Sequence, residues 1–292
     1  MVQKKDGFKN ERLFVVPGFY YQNMDEEALC VNCYVTSIGY FPSALHHYRE
    51  RPHGLEDFLL MYCVGGEGLV QIAQNPMYPL KQGQIALLPP DTAHLYYASK
   101  NNPWSIYWIH LNGKQIAKLW ERGYLGESKY LLSSGCVLLE TLFNECFQMM
   151  KQKYTEKDYF YLCQIVSHIL GVVCNFVTET VTTEKGENAV ETAIAYMKQN
   201  LHRTIALEEL SGLTHYSSSH LNQLFQRIKQ SSPIEYFIQM RLQAASRELY
   251  FSKLPIKDIA LNYGFDDPLY FSRLFRKTFG VSPNAFRNQP RG

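Results

Sequence analysis

Residues 207–236 read LEELSGLTHYSSSHLNQLFQRIKQSSPIEY, and residues 256–286 read IKDIALNYGFDDPLYFSRLFRKTFGVSPNAF. The two stretches repeat one another, at an offset of 49 residues before the turn and 50 after it. An internal repeat of this kind indicates two copies of one supersecondary unit. The matched positions are Leu210 with Ile259, Tyr216 with Phe265, Leu224 with Leu274, Phe225 with Phe275, Ser232 with Ser282, Pro233 with Pro283, and Tyr236 with Phe286.

Each copy has the pattern of a short helix, a tight turn and a second, capped helix. In the second copy Gly264 supplies the turn, Asp267 is a natural N-cap, and Pro268 suits the first helical position. In the first copy Ser217 takes the part of the cap. Two helices across a tight turn are typical of a helix-turn-helix, whose second helix fits the major groove of DNA. The alternative interpretation is an ordinary helical domain with solvated helix faces.

Helical periodicity divides each second helix into a core face and an outer face. The residues predicted to face the core are Leu221, Leu224, Phe225 and Ile228 in the first copy, and Phe271, Leu274, Phe275 and Thr278 in the second. The residues predicted to face DNA are Ser218, Ser219, Asn222, Gln223, Gln226 and Arg227 in the first copy, and Leu269, Ser272, Arg273, Arg276 and Lys277 in the second.

These outer faces have the chemistry that a DNA duplex requires. Asn and Gln side chains can pair with adenine, Arg273 can bind guanine, and Leu269 can contact a thymine methyl group. Arg276 and Lys277 suit phosphates. The net charge is −2 before Gly186 (16 basic against 18 acidic residues) and +4 from there on (13 against 9). We therefore expect the C-terminal part to bind double-stranded operator DNA.

Residues 13–111 consist of short apolar runs that are broken by Gly, Pro and Asn, as in strands with turns between them. Several short strands of this kind predict an all-β sandwich or barrel. Residues 65–68 (GGEG) predict a hairpin that pairs the runs on either side. The predicted strands are 33–38, 58–64, 69–72, 84–88 and 105–110.

Two helices are predicted within residues 135–177, where apolar residues recur at helical spacing. Such a helical pair can cover an open face of a barrel, or it can pair with its twin in a dimer. A polar stretch follows that suits a linker. The predicted fold class is α+β in two domains: a β-barrel with helices over residues 1–178, a linker over 179–188, and an all-α DNA-binding domain over 189–292.

Bulk properties argue against several other classes. A hydrophobic content of 46% is that of a globular chain. The polar residues 1–10 are unlike a signal peptide, and no run of about 18 apolar residues is present, so we expect a cytoplasmic protein without a membrane segment. The seven cysteines are expected to be reduced thiols. Cys30 and Cys33 form one CxxC pair without the second pair of a structural zinc site, and we expect no metal or cofactor.

The second copy of the repeat resembles the AraC family of transcription regulators. The first copy departs from the family pattern: Ser211 stands where a small Ala is usual, Thr214 and His215 replace the usual turn residues, and Gln230 stands where Gly is usual. The residues that carry the resemblance are 256–260, 263–265, 270–277, 280–283 and 286–287, together with 240–242, 245 and 249 in the joining helix.

The N-terminal zone resembles the sugar-sensing, cupin-like domain of the same family. The resemblance implies that Arg51, Tyr96 and Trp108 hold a sugar, with the guanidinium on its hydroxyls and an aromatic face on its C–H groups. Ile106 is apolar where the family often has a polar ligand contact. The residues that carry this resemblance are 51–54, 66–68, 83, 88–94, 96 and 104–108.

His94 matches one half of the cupin metal motif, but the HxH half is absent. His46 and His47 are adjacent, so on a strand they point to opposite faces and cannot share one metal ion. We therefore interpret His94 as a histidine at the barrel mouth and count it among the effector-binding residues.

The resemblance implies a sequence-specific regulator that is controlled by a small effector, a sugar such as arabinose or a related pentose or oligosaccharide. It implies a homodimer, and RNA polymerase as a further partner if the protein is an activator. Two alternatives stay open: a metal-dependent cupin sugar enzyme fused to a DNA-binding domain, and a regulator whose N-terminal domain only dimerises. No nucleophile elbow, P-loop or dinucleotide fingerprint is present, and no catalytic residue is predicted.

Overall fold

A computed structural model of the chain describes residues 3–22, 29–124, 126, 129–149, 155–178 and 184–288. The chain forms two compact units, Met1–Val181 and Thr182–Gly292. Each unit has its own hydrophobic clusters.

The first unit contains strands and three helices within the described residues. Its helices are α1 (Lys114–Glu121), α2 (Ser133–Met149) and α3 (Glu156–Phe176). Its strands are β1 (Arg12–Val15), β2 (Tyr34–Phe41), β3 (Tyr48–Arg51), β4 (Phe58–Gly65), β5 (Glu67–Ile72), β6 (Tyr78–Lys81), β7 (Gln84–Leu88), β8 (His94–Ala98), β9 (Ser105–Asn112), β10 (Lys129–Leu131) and β11 (Val177–Thr178).

The strands form a large sheet in the order β1-β2-β9-β4-β7-β10-β11 and a small sheet in the order β3-β8-β5-β6. Successive side chains of a strand point to opposite faces of the sheet, and those of the central strand β4 pack on both faces. Leu59 and Met61 join a cluster with residues of the small sheet, such as Val70 of β5. Leu60 and Tyr62 join a second cluster with α2 and α3. The large sheet therefore lies between the small sheet and the helices.

Helices α2 and α3 cover the outer face of the large sheet. Thr155 caps α3 in a reciprocal capping box with Asp158. The length and mean hydropathy of α3, 1.4, are those of a helix that could cross a membrane. Half of that stretch is buried in the chain, and Leu162 and Val166 pack in the core beneath the sheet. This is the position of a core helix in a globular domain.

The predicted hairpin between residues 58–64 and 69–72 is wrong. Both edges of β4 are paired, with β9 and with β7, so no edge is left for β5. Strand β5 pairs with β6 and β8 in the small sheet. The chain crosses between the sheets at Gly66, whose φ of +67° suits glycine and where a Cβ would lie 2.4 Å from the carbonyl oxygen of Pro103.

The second unit is all-helical in the described residues. The predicted linker 179–188 extends too far, because α4 begins at Glu184 and its first turns are buried at Glu187 and Ala189. Residues 179–183 lie outside the described residues. The helices are α4 (Glu184–Gln199), α5 (Leu207–Thr214), α6 (Ser218–Lys229), α7 (Pro233–Phe251), α8 (Ile256–Asn262), α9 (Pro268–Phe279) and α10 (Pro283–Arg287).

Two clusters follow the sequence repeat. One contains α4, α5, α6 and the start of α7, with Phe225 and Phe237 at its centre. The other contains the rest of α7 with α8, α9 and α10, around Phe271 and Phe275. Helix α7 contributes to both clusters and so joins the two copies into one domain.

Candidate functional site

A cavity opens between the two sheets of the first unit. Its enclosed volume is about 50 Å³, and the space reaches about 350 Å³ when the open region at its mouth is included. Its lining consists of Leu13, Phe41, His47, Arg49, Arg51, Leu59, Met61, Tyr96, Ile106, Trp108 and His110.

Arg51 is held at the cavity by two neighbours on β8. In the antiparallel register Arg51 faces His94, and Arg49 faces Tyr96. Arg51 Nη1 donates to the Tyr96 hydroxyl at 3.0 Å and lies 3.2 Å from His94 Nε2. His94 Nδ1 lies 2.9 Å from the Thr92 carbonyl oxygen and donates to it, so Nε2 is left as an acceptor for Arg51. Burial lowers the pKa of His94, which suits this neutral form.

The Trp108 side chain packs against β2 at a glycine, which leaves room for the indole. Its indole lies over Gly39, the opposite residue in the strand pairing, where a Cβ would come within 2.3 Å of the ring. The indole Nε1 is buried and has no hydrogen-bond partner among the described residues. Buried donors are nearly always paired, so an unpaired donor on a residue that lines the cavity is unusual.

Two further histidines line the cavity in the neutral form. Burial, with smaller contributions from Arg49 and Arg51, lowers the pKa of His47 to about 3. Burial also lowers the pKa of His110 to about 3, aided by the charges of Arg51, His94 and Arg49. His47 Nδ1 accepts a hydrogen bond of 3.2 Å from the indole Nε1 of Trp104.

The four effector residues expected from the sequence come together in space. Arg51, Tyr96 and Trp108 line the cavity, and His94 contacts Arg51 at its edge. Sequence reasoning missed Arg49 and His110. Each stands two residues from an expected site residue on the same strand, which is the signal that could have found them.

The DNA-facing helices have the predicted caps. The Ser217 side chain accepts from the backbone N–H of His220 at the start of α6. Asp267 accepts from Leu269 N at the start of α9, with Pro268 in the first turn. In α5, Ser211 hydrogen-bonds to the Tyr216 carbonyl, so the hydroxyl that departs from the family pattern is satisfied across the turn.

The expected DNA contacts are mostly exposed. The Arg273 side chain is 74% exposed, and the residue Leu269 is also 74% exposed. Asn222 is half-buried. Two serines are already engaged: Ser272 Oγ donates to the Pro268 carbonyl at 2.8 Å, and Ser218 Oγ lies 3.4 Å from Ser211 Oγ. The other exposed ones are Ser219, Gln223, Gln226, Arg227, Arg276 and Lys277.

The predicted inward position of Thr278 is wrong, because this side chain is exposed. Phe279 turns inward in its place and packs on Phe275 at 4.4 Å between ring centroids and on Phe286 at 5.6 Å. The inward residues Phe271, Phe275 and Phe279 follow a spacing of four, which keeps one helix face against the core.

The fold and the site together define a class of protein, a DNA-binding regulator with a ligand-binding β-domain. A family model described as an AraC-like ligand binding domain matches residues 35–158, and one described as a helix-turn-helix domain matches residues 210–289. The chain belongs to the AraC family of transcription regulators. The N-terminal match is to a ligand-binding domain, so the chain is a transcription regulator and the alternative of a metal-dependent sugar enzyme is wrong.

Two known proteins are similar along most of this chain, and one solved structure is similar along about a third of it. The MmsAB operon regulatory protein of Pseudomonas aeruginosa is 27% identical over 94% of this chain and 89% of its own length. The lactose operon transcription activator of Staphylococcus xylosus is 28% identical over 76% of this chain and 81% of its own length. The crystal structure of a probable AraC family regulator from Rhodopseudomonas palustris, 32% identical, covers 36% of this chain and 99% of that chain with a TM-score of 0.34.

Proposed function

We propose that this regulator is controlled by a sugar that binds between Arg51, Tyr96 and Trp108. The observation that carries the proposal is the cavity that Arg51, Tyr96 and Trp108 line together, where the buried Nε1 of Trp108 has no hydrogen-bond partner among the described residues. An unpaired buried donor costs about 1–3 kcal/mol, which a ligand oxygen would recover. The proposed effector is arabinose, a related pentose, or an oligosaccharide that contains one. The name of the S. xylosus relative, a lactose operon activator, supports a sugar.

Thermal unfolding of the full chain, followed by tryptophan fluorescence, tests this proposal. All three tryptophans, Trp104, Trp108 and Trp120, lie in the first unit, so their signal reports on it. A sugar that binds only the folded state raises Tm, and at 100 times its Kd it adds about 2.7 kcal/mol of stability. We expect one sugar of a pentose, hexose and oligosaccharide panel to do so.

The response should be lost in Arg51→Ala and retained in Arg122→Ala, which removes an exposed arginine after α1. A panel without any shift would contradict the sugar proposal and favour a domain that only dimerises.

We propose that the effector acts through the N-terminal arm, residues 3–11. Phe8 of the arm is buried against Phe41 and His47, and Asp6 lies 3.7 Å from Arg49, so the arm contacts residues that line the cavity. A ligand that binds differently to two placements of the arm shifts their populations, which is the requirement for control of a second site.

We propose that the exposed side chains of α6 and α9 contact operator DNA. Arg273 is assigned to guanine because a guanidinium can form two hydrogen bonds with that base. Arg276 and Lys277 are assigned to phosphates, which fix the register of the helix. Their exposure on the helix opposite Phe271 and Phe275 supports this assignment.

Binding to an operator selected in vitro from random duplexes tests these roles. Arg273→Ala should cost about 1–3 kcal/mol of binding free energy and relax the preference at one base pair. Lys277→Ala should weaken binding to all DNA sequences alike and reduce the slope of log K against log salt concentration by about 1. Lys253→Ala, exposed and outside the DNA-facing helices, is the matched control. Unchanged affinity and base preference in Arg273→Ala would remove this residue from the readout set.

We propose that the protein acts in the cytoplasm as a homodimer formed through α2 and α3, and that it contacts RNA polymerase as an activator. Val137 of α2 and Tyr161 of α3 are exposed apolar side chains that support a second copy as the occupant of this surface. Sedimentation analysis should show a dimer that Val137→Glu converts to a monomer. A monomeric wild-type chain at operator-binding concentrations would contradict the dimer.

A further inference from the structure

Two guanidinium groups enter the cavity from the same strand. Arg49 and Arg51 alternate with Glu50 along β3, so both point to the cavity side, and both are among its lining residues. Among the described residues that line the cavity, none is Asp or Glu. Within the described part of the chain, the one carboxylate in an ion pair with either arginine is Asp6, whose Oδ2 lies 3.7 Å from Arg49.

The charge of this pair is not balanced by other cavity groups. His47 and His110 are neutral at ordinary pH because burial lowers the pKa of each to about 3, and the charges of Arg49 and Arg51 act in the same direction. Asp6 is 61% exposed, and an exposed ion pair of this kind contributes little. The cavity therefore has a positive potential and an excess of hydrogen-bond donors, since Arg side chains and the Trp108 indole N–H only donate.

We propose that the effector carries an anionic oxygen group, a carboxylate or a phosphate, which binds between Arg49 and Arg51. Arginine forms paired, charge-assisted hydrogen bonds with both groups. This inference rests on the proposed sugar site and specifies its ligand: a sugar acid or sugar phosphate of monosaccharide size, rather than a neutral sugar. The hydroxyls of the ligand meet Tyr96 and the Trp108 indole, and its anion replaces Asp6 as the partner of Arg49.

Matched pairs of neutral and anionic sugars test the proposal on the full chain. The probes are D-galactose with D-galacturonate, and D-ribose with D-ribose 5-phosphate, at constant ionic strength, with Kd taken from the concentration dependence of the fluorescence-detected Tm. We expect at least one anion to bind about tenfold or more tighter than its neutral partner. Comparison of the galacturonate and ribose 5-phosphate results identifies whether the cavity binds a carboxylate or a phosphate.

Arg49→Gln isolates the anion contribution, because Arg49 is the guanidinium without a contact to Tyr96 or His94. This variant should reduce the preference for the anion over its neutral partner about tenfold, and Arg122→Gln should leave that preference unchanged. Equal binding of neutral and anionic partners, or an anion affinity that Arg49→Gln leaves intact, would overturn this inference and leave the sugar site standing. No binding of either anionic probe would also overturn this inference, whereas the sugar site is overturned only if the whole panel of sugars gives no shift.

Discussion

At the scale of single residues, the first copy of the repeat uses side chains where the second uses glycine. Gly264 and Gly280 have φ of +68° and +78°, and the matched residues His215 and Gln230 have φ of +59° and +55°. The left-handed region costs a non-glycine residue roughly 1–2 kcal/mol. The two copies therefore use the left-handed conformation at the same two positions, although only the second copy has the glycines that favour it.

Replacing Gln230 by Gly should stabilise the second unit. Relief of the left-handed conformation is offset in part by the greater freedom of Gly in the unfolded chain, so we expect a net gain of about 0.5–1 kcal/mol. Gln230 is exposed, and its backbone N–H already donates to the Gln226 carbonyl, so no side-chain contact is lost. Thermal unfolding of the full chain by circular dichroism measures the change. Gly280→Gln is the matched reverse variant, and a loss of stability in Gln230→Gly would contradict the argument.

The buried histidine His47 makes the first unit sensitive to acid. Its pKa is about 3 in the folded chain against about 6.5 when unfolded, so below pH 6.5 the unfolded state takes up a proton that the folded state does not. Its contribution to stability is complete above pH 6.5 and falls by about 1.4 kcal/mol per pH unit below it. Urea unfolding followed by tryptophan fluorescence between pH 7.5 and 5 should show a slope at least this steep, because His110 contributes in the same direction. It should be reduced in His47→Gln and unchanged in His53→Gln, an exposed control; equal slopes in all three chains would contradict the assignment.

At the scale of elements, burial decides what the sequence can predict. The long apolar runs of β4, β7 and β9 were predicted because they are covered on one or both faces, and their residues are almost all buried. Strands β3 and β8 were not predicted individually, since they are short and most of their side chains outside the three buried positions of β8 are only partly buried. The hairpin was predicted wrongly because a Gly-rich turn indicates only that the chain changes direction. It does not indicate that the strands on either side pair with each other.

The candidate site was predictable to the extent that it lies on family motifs. Arg51, Tyr96, Trp108 and His94 could be named from such motifs, and Arg49 from its place two residues before Arg51, whereas the meeting of these side chains in space depends on the pairing of β3 with β8. That pairing joins strands more than 40 residues apart in the chain, and no local pattern encodes it. Long-range register is therefore what the sequence alone could not supply.

Helix α7 joins the two repeats through one buried charge. Arg241 is 5% exposed, its Nε donates to the Tyr263 carbonyl, and its guanidinium lies 4.0 Å from the Phe265 ring centroid and 5.4 Å from that of Phe237. These contacts connect the first hydrophobic cluster of the unit with the turn that precedes α9. Burial lowers the pKa of Arg241, so the site bears a desolvation cost that these contacts offset.

Arg241→Met should loosen the second helix-turn-helix more than the first. It retains the length of the side chain but leaves the Tyr263 carbonyl unpaired, at a cost of about 1–3 kcal/mol. Hydrogen exchange should accelerate in the amides of α8 and α9 and change less in α5 and α6. Arg247→Met, on an exposed position of the same helix, is the control. Equal acceleration of hydrogen exchange in both repeats would show that Arg241 stabilises the unit as a whole and not specifically the connection between the two repeats.

At the scale of the whole molecule, the chain separates sensing from DNA binding. The cavity lies entirely in the unit that ends at Val181, and the helices assigned to DNA lie entirely in the unit that follows. The excess of positive charge follows the same division, since the net charge is −2 before Gly186 and +4 after it. A small molecule and a polyanion can therefore bind to the same chain without competing for its charges.

The tandem arrangement of α6 and α9 predicts the geometry of the operator. Two helix-turn-helix units contact successive major-groove segments on one face of the duplex, about one helical turn or roughly 10 base pairs apart. Inserting about 5 base pairs between the two segments turns one of them to the opposite face, so we expect the affinity to fall at least tenfold, toward that of a single unit. Competition binding on the selected operator measures this loss, with the same insertion outside the footprint as control. In Arg273→Ala the loss on insertion should be smaller, because the contacts of α9 are already weakened. Tolerance of the insertion by the wild-type chain would show that only one of the two helices contacts the bases.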